Sequence, residues 1–209
     1  MINNIDNKTI KEIKTISLSM FRKGFFSIFS GAISCKLNEN KFIINKSGAI
    51  FDDISPESLV VLSHKRNYSW NDASTHADIH SYIYKEISEA KCIAYTLPSF
   101  SIAYSISHFK IIPQDYYGYI NFKEIPIYDP KEYSSWRERA DVEICNFFKQ
   151  NNINFMVIKG YGIYAYSRDL AQLAKTIDMI ENSVKILTLH NLENTIFRYK
   201  VEATNPDLF

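Results

Sequence analysis

The sequence predicts a mixed α/β fold, an α+β layering of helices against one central β-sheet, and three observations lead to it. Short apolar runs rich in β-branched and aromatic residues precede, separate and follow segments with helical spacing. The length of 209 residues suits one domain. Apolar residues make up 46% and charged residues 22%, close to a typical soluble globular chain. One domain is expected over 1–209, with its core at about 10–190 and a loose tail over 191–209.

The elements follow in order. Ile10 to Gly24 reads as an amphipathic helix, with Ile10, Ile13, Ile16, Leu18, Met20 and Phe21 on one broad apolar face and Gly24 placed to end it. Ala32–Leu37 and Lys41–Asn45 are strand-like, separated by Asn38-Glu39-Asn40, which suits a hairpin. Lys46-Ser47-Gly48 is a turn, and Ser55 before Pro56 marks a short helix start. Leu59–Leu62 is a strand, with a second hairpin expected around His64–Trp70. Ser74–Ser88 is helical, with Ala77, His80, Ile83, Tyr84 and Ile87 on one face. Lys91–Tyr95 reads as a buried strand, Pro98–Ser107 as a helix and Ile125–Tyr128 as a strand. Tyr133–Asn151 is a helix that turns Trp136, Ala140, Ile144, Phe147 and Phe148 inward. Phe155–Ile158 and Gly162–Tyr166 are strands across a glycine turn, and Asp169–His190 is a long helix.

Composition also excludes. A net charge of +1 argues against a nucleic-acid or anionic-membrane surface. No run of apolar residues is long enough for a transmembrane helix, and the polar start, Met1–Lys14, lacks a signal peptide's apolar stretch. Cys35, Cys92 and Cys145 are widely spaced, with neither a zinc-finger nor a disulfide-framework pattern, so reduced thiols in a cytoplasm are expected. No Ser lies in a nucleophile-elbow motif. The 14 Tyr and 14 Phe are read as a rich core.

Several segments, taken in order, resemble one family. They are Ser30-Gly31-Ala32-Ile33-Ser34, Phe42 to Gly48, Ile54 to Val61, Ala73-Ser74-Thr75-His76 with His80 and Tyr84, Cys92 to Pro98, and Val157 to Gly162. Together they resemble the class II aldolase and adducin-head family, which includes fuculose-phosphate aldolase and ribulose-phosphate epimerase. The resemblance covers about Met20 to Leu187. It implies a nine-stranded mixed, largely antiparallel sheet flanked by helices, and a four-fold symmetric tetramer with sites between subunits. It also implies a zinc or similar divalent ion on three histidines, a catalytic glutamate, and a phosphate held by glycine- and serine-rich turns.

Carried over by position, the resemblance puts Tyr95, Leu97 and Tyr161 where the three histidines belong, and His76 where the glutamate belongs. Leucine offers no lone pair and a neutral phenol is a poor ligand, so no metal and no cofactor are expected. Gly31, Ser47, Gly48, Ser74 and Thr75 keep suitable types for holding phosphate or another small anion, and Lys46 adds charge. Glu181 suits the family's glutamate in the last helix.

Tyr95 and Leu97, two apart on a strand, face one side and make an apolar or aromatic wall. His76 and His80 have the four-residue spacing of a two-histidine metal pair, but the expectation is that His80 packs or hydrogen-bonds. Ser74 or Thr75 also suits a helix N-cap, and Arg137, Glu138 and Arg139 read as a solvated helix face.

Two functions remain open. One is a metal-free, non-catalytic binding or assembly module with a residual anion pocket, working as a homo-oligomer, tetrameric by resemblance. The other is a sugar-phosphate aldolase, epimerase or isomerase-like enzyme with rebuilt chemistry, in which His76 is the base and Tyr95 or Tyr161 the acid.

Overall fold

The computed structural model describes residues 7–204, with side chains described up to 195 and at 197. The first helix, α1 (Asn7–Arg22), buries Ile13, Ser17 and Met20. Strands β1 (Ala32–Asn38) and β2 (Lys41–Asn45) form the expected antiparallel hairpin, and β3 (Leu59–Ser63) pairs along β2. After α2 (Ala77–Glu86), β4 (Cys92–Thr96) lies beside β1. Then come α3 (Ser99–Ser107), the two-residue β5 (Lys110–Ile111), α4 (Tyr116–Phe122) and β6 (Ile125–Tyr128). The chain closes with α5 (Tyr133–Asn151), β7 (Phe155–Ile158), β8 (Gly162–Ser167) and α6 (Leu170–Thr204).

The strands form one eight-stranded sheet in the order β3-β2-β1-β4-β8-β7-β6-β5, antiparallel except at β6–β7. This is the expected mixed, largely antiparallel architecture, with eight strands among the described residues rather than nine. Period-two alternation sends Ile33, Cys35, Cys92, Ala94, Ile163 and Ala165 to one face and Ala32, Ile93, Tyr95 and Tyr164 to the other. The first face packs under α1 and α6. On α6, Leu173, Ile177, Ile180, Val184 and Leu187 recur at helical spacing and are buried. The second face packs under α2 and α5 through Ile83, Tyr84, Ala140, Ile144 and Phe148. Each fully buried aliphatic side chain contributes about 1.5–3 kcal/mol, so the two apolar clusters hold the three layers together.

Four local expectations change. His64–Trp70 is not a hairpin: Asn67 caps a 3-10 turn over Tyr68–Asp72 by accepting the Ser69 amide at 3.1 Å. Helix α2 begins at Ala77, not Ser74, and its N-cap is His76, because Ser74 is held in a turn by its own carbonyl and hydroxyl. Neither Ser74 nor Thr75 is therefore the N-cap. Helix α6 continues to Thr204, so most of the expected loose tail is helical. Residues 205–209 lie outside the described residues. Among the described residues, no helix is long and apolar enough to cross a membrane.

Candidate functional site

The ends of β1 and β4 and two turns converge on a pocket of about 270 Å³. Its lining includes Phe29, Gly31, Lys46, Ser47, Gly48, Ser74, Thr75, His76, Tyr95 and Leu97. All five residues expected to hold an anion therefore meet in one place, although they come from separate parts of the chain. Asn45 organises them. Its side-chain oxygen accepts the Ile33 amide at 2.9 Å, its side-chain nitrogen donates to the Lys46 carbonyl at 3.2 Å, and its carbonyl accepts the Ser74 amide at 3.0 Å.

The backbone donors divide into two groups. The Ser47 amide donates to the Asp72 carbonyl at 2.9 Å and the Ser74 amide to Asn45, so these two fasten the turns to each other. Among the described residues, the amides of Gly31, Gly48 and Thr75 have no protein acceptor. Gly48 has φ +75 and is exposed, a left-handed turn conformation that favours glycine. Gly31 has φ +134, and a Cβ there would lie 2.3 Å from the Phe26 ring, so only glycine fits this wall.

The charge is one-signed. The lining holds Lys46 and neither Asp nor Glu. Arg137, on α5, donates to the Thr75 carbonyl at 3.4 Å and stands at the rim. It was not legible in the sequence, where it shares an exposed helix face with Glu138. Arg139 instead bonds Glu143 and the Pro130 carbonyl. Lys159 pairs with Asp129 at 3.2 Å, away from the pocket.

The remaining wall is aromatic. Tyr95 and Leu97 both face the pocket, as the two-residue spacing predicts. The Tyr95 ring stacks on His76 at 4.3 Å and on Tyr164 at 4.8 Å, and its hydroxyl donates to the Tyr161 carbonyl at 2.9 Å. Tyr161 stands behind Tyr95, with ring centroids 5.0 Å apart, and packs edge-on to Trp136. Burial pushes the Tyr95 phenol far above its ordinary pKa, and it raises that of Tyr161.

His76 Nδ1 is hydrogen-bonded to the Tyr164 hydroxyl. Burial, with a smaller effect from Arg137, lowers its pKa to about 4, so the ring is neutral at pH 7. His80 is fully buried, and its Nδ1 lies 2.7 Å from the Ser34 hydroxyl, which also bonds the Tyr84 hydroxyl. His80 Nε2 has no partner among the described residues. His80 thus sits in a hydrogen-bonded network inside the sheet face, as expected for a packing residue.

The divalent ion implied by the resemblance does not fit these residues. Tyr95 is a neutral phenol donating to a carbonyl, Leu97 has no donor atom, and Tyr161 is a neutral phenol packed in the second row. One imidazole remains beside the pocket, and its Nδ1 is engaged. Among the described residues no three His, Cys, Asp or Glu side chains gather for a metal.

Glu181 has a different role. From α6 its carboxylate accepts the Phe100 amide at 2.9 Å, the Ser101 amide at 2.8 Å and the Ser101 hydroxyl at 2.6 Å. It caps α3, whose own N-cap, Pro98, makes no side-chain cap bond.

The comparisons with known proteins bear on the fold and the family. A methylthioribulose-1-phosphate dehydratase from Sulfurihydrogenibium sp. (strain YO3AOP1) is 22% identical over 194 residues, covering 83% of this chain and 86% of that protein. The solved L-fuculose-1-phosphate aldolase from Thermus thermophilus superposes with a TM-score of 0.80 at 21% identity, over 91% of this chain and 97% of that one. A sugar-phosphate aldolase from Thermotoga maritima gives a TM-score of 0.66 at 17% identity, over 89% and 95%. The family profile of the class II aldolase and adducin N-terminal domain matches residues 11–188, and the chain belongs to that family.

Proposed function

We propose that this protein is a metal-independent, non-catalytic member of its family, a binding or assembly module whose pocket takes a small phosphorylated or otherwise anionic ligand. One observation carries the reading. A pocket with open amides at Gly31, Gly48 and Thr75, the ammonium of Lys46 and no carboxylate is walled by Tyr95, Leu97 and a neutral His76. The first set binds anions. The second offers neither a Lewis acid nor a group that stabilises an enediolate. Phosphorylated sugars are the natural class to test, since the relatives' names are those of sugar-phosphate enzymes.

The rebuilt-enzyme reading is weaker. A general base works best with a pKa near the operating pH, and His76 lies far below it with Nδ1 tied to Tyr164. Neither Tyr95 nor Tyr161 suits a general acid at neutral pH, since burial raises both phenols.

Calorimetric titration with inorganic phosphate and with phosphorylated ketoses and aldoses tests the proposal, alongside an assay for their turnover. Binding without turnover is expected, weakened about tenfold or more in Lys46→Ala, the effect of losing one charged hydrogen bond. Turnover that disappears in His76→Ala would overturn it.

The reading extends to assembly. Phe109, Ile112, Tyr116, Tyr117 and Ile120 are each at least half exposed on and around α4. A cluster of this kind supports burial between copies, and the proposal is a homo-oligomer, tetrameric by family resemblance, in a cytoplasm.

A further inference from the structure

Cys35 and Cys92 face each other across β1 and β4, with sulfurs 3.1 Å apart. They are 57 positions apart in sequence, and the sequence alone gives no reason to pair them. The ladder explains the closeness. The Lys36 amide donates to the Lys91 carbonyl at 2.7 Å and the Ile33 amide to Asn45 of β2, so Lys36 turns its backbone groups to β4 and Cys35, between them in alternation, turns its own to β2. In the antiparallel β1–β4 ladder the rung of Cys35 opposite Cys92 is therefore the non-hydrogen-bonded kind. Such rungs bring Cα atoms to about 4.5 Å and side chains closer than the alternate rungs do. That lies inside the Cα span of about 4.4–6.8 Å that a disulfide bridges.

Both thiols point to the same sheet face, under α1. Both residues are buried, Cys35 at 5% and Cys92 at 7% exposure. Cys145 belongs to the opposite cluster.

We infer that Cys35 and Cys92 are a latent cross-strand disulfide, closed by a small-molecule disulfide of the oxidised-glutathione class, that locks β1 to β4 in their native register. In the first step the thiolate of one cysteine attacks a sulfur of the small disulfide, forming a mixed disulfide and releasing one small thiolate. In the second, the other cysteine's thiolate attacks the protein sulfur of that mixed disulfide and releases the second small thiolate. The pair loses two electrons and two protons, and the small disulfide is reduced to two thiols. The hydrogen bond with Cys92 and, after it, burial hold the Cys35 thiol well above its usual pKa, so the exchange is slow and proceeds as α1 opens locally. A reducing cytoplasm keeps the pair as thiols, and an oxidising shift closes it. The bond joins the two strands whose ends bear Gly31 and Tyr95, which makes the pocket's frame sensitive to redox state.

The test is equilibration of the full chain in glutathione buffers from reducing to oxidising, approached from native protein and from refolding. Intact mass, peptide mapping and thermal melting are then measured. Expected is loss of the mass of two hydrogen atoms, a Cys35–Cys92 linked peptide, and a Tm unchanged or raised by up to about 10 °C, the scale for a loop of this size. The same crosslink is expected in Cys145→Ser and in Cys145→Ala, either of which serves if the other folds poorly. Full retention of both thiols at the oxidising end overturns the inference. So does a bond that involves Cys145, or a crosslinked protein with lowered Tm.

Discussion

His76 lines the pocket and is held there by two tyrosines. Its ring lies flat against Tyr95, its Nδ1 is engaged by Tyr164, and burial lowers its pKa to about 4. An unfolded histidine titrates near about 6.5. Between those values the unfolded chain binds a proton that the folded chain refuses, so stability is greatest above about pH 6.5 and falls as the pH drops towards 4. The fully buried His80, whose pKa is also lowered, acts in the same direction. Denaturant unfolding at a series of pH values should show this decline, worth on the order of 3 kcal/mol for His76, and His76→Gln should reduce it. Glu181 gives a second prediction at this scale. Glu181→Ala removes three hydrogen bonds at the start of α3 and should cost about 2–3 kcal/mol in urea unfolding. Glu181→Gln, which keeps an acceptor, should cost less. The residue identities at Tyr95, Leu97 and Tyr161 were legible because ligand chemistry depends on residue type alone. The role of Glu181 was not, because it depends on which helix end lies opposite it.

The strongly periodic elements could be read directly from the chain. On α5 and α6 the apolar positions recur at three- and four-residue spacing, and the same residues are buried. The misreadings fall where tertiary contacts decide. The Asn67 side chain caps a 3-10 turn over Tyr68–Asp72 where a hairpin was expected around His64–Trp70. Helix α4, Tyr116–Phe122, was missed because its aromatics are largely exposed and show no helical stripe. What places it is Gly118. A Cβ there would lie 2.2 Å from Ser183 Oγ on α6, 2.6 Å from Pro113 Cβ and 2.7 Å from Asp115 Oδ1. Gly118→Ala is therefore expected to lower Tm by several degrees, although alanine is the better helix former by about 1 kcal/mol. An unchanged or raised Tm would show that α4 and α6 are not in close contact there. The pocket turns were legible by type, but their grouping depends on Asn45, whose three bonds no local pattern announces.

At the scale of the whole molecule, the family fold is retained from residue 11 to 188, with the strand ends still converging on one pocket. In the function proposed above, this frame binds anions without a metal and works as an assembly of copies. Assembly predicts a solution mass above that of one 24.3 kDa chain, falling towards it in Tyr117→Glu/Ile120→Glu, by light scattering. A wild-type mass of one chain would remove assembly from the proposal. Lys46 and Arg137, the cations nearest the pocket, predict ligand affinity that weakens as salt is raised. Metal independence is decided by elemental mass spectrometry of protein purified without chelator from zinc-supplemented cells. Metal far below one ion per chain is expected. About one zinc or similar ion per chain, lost in His76→Ala, would contradict it.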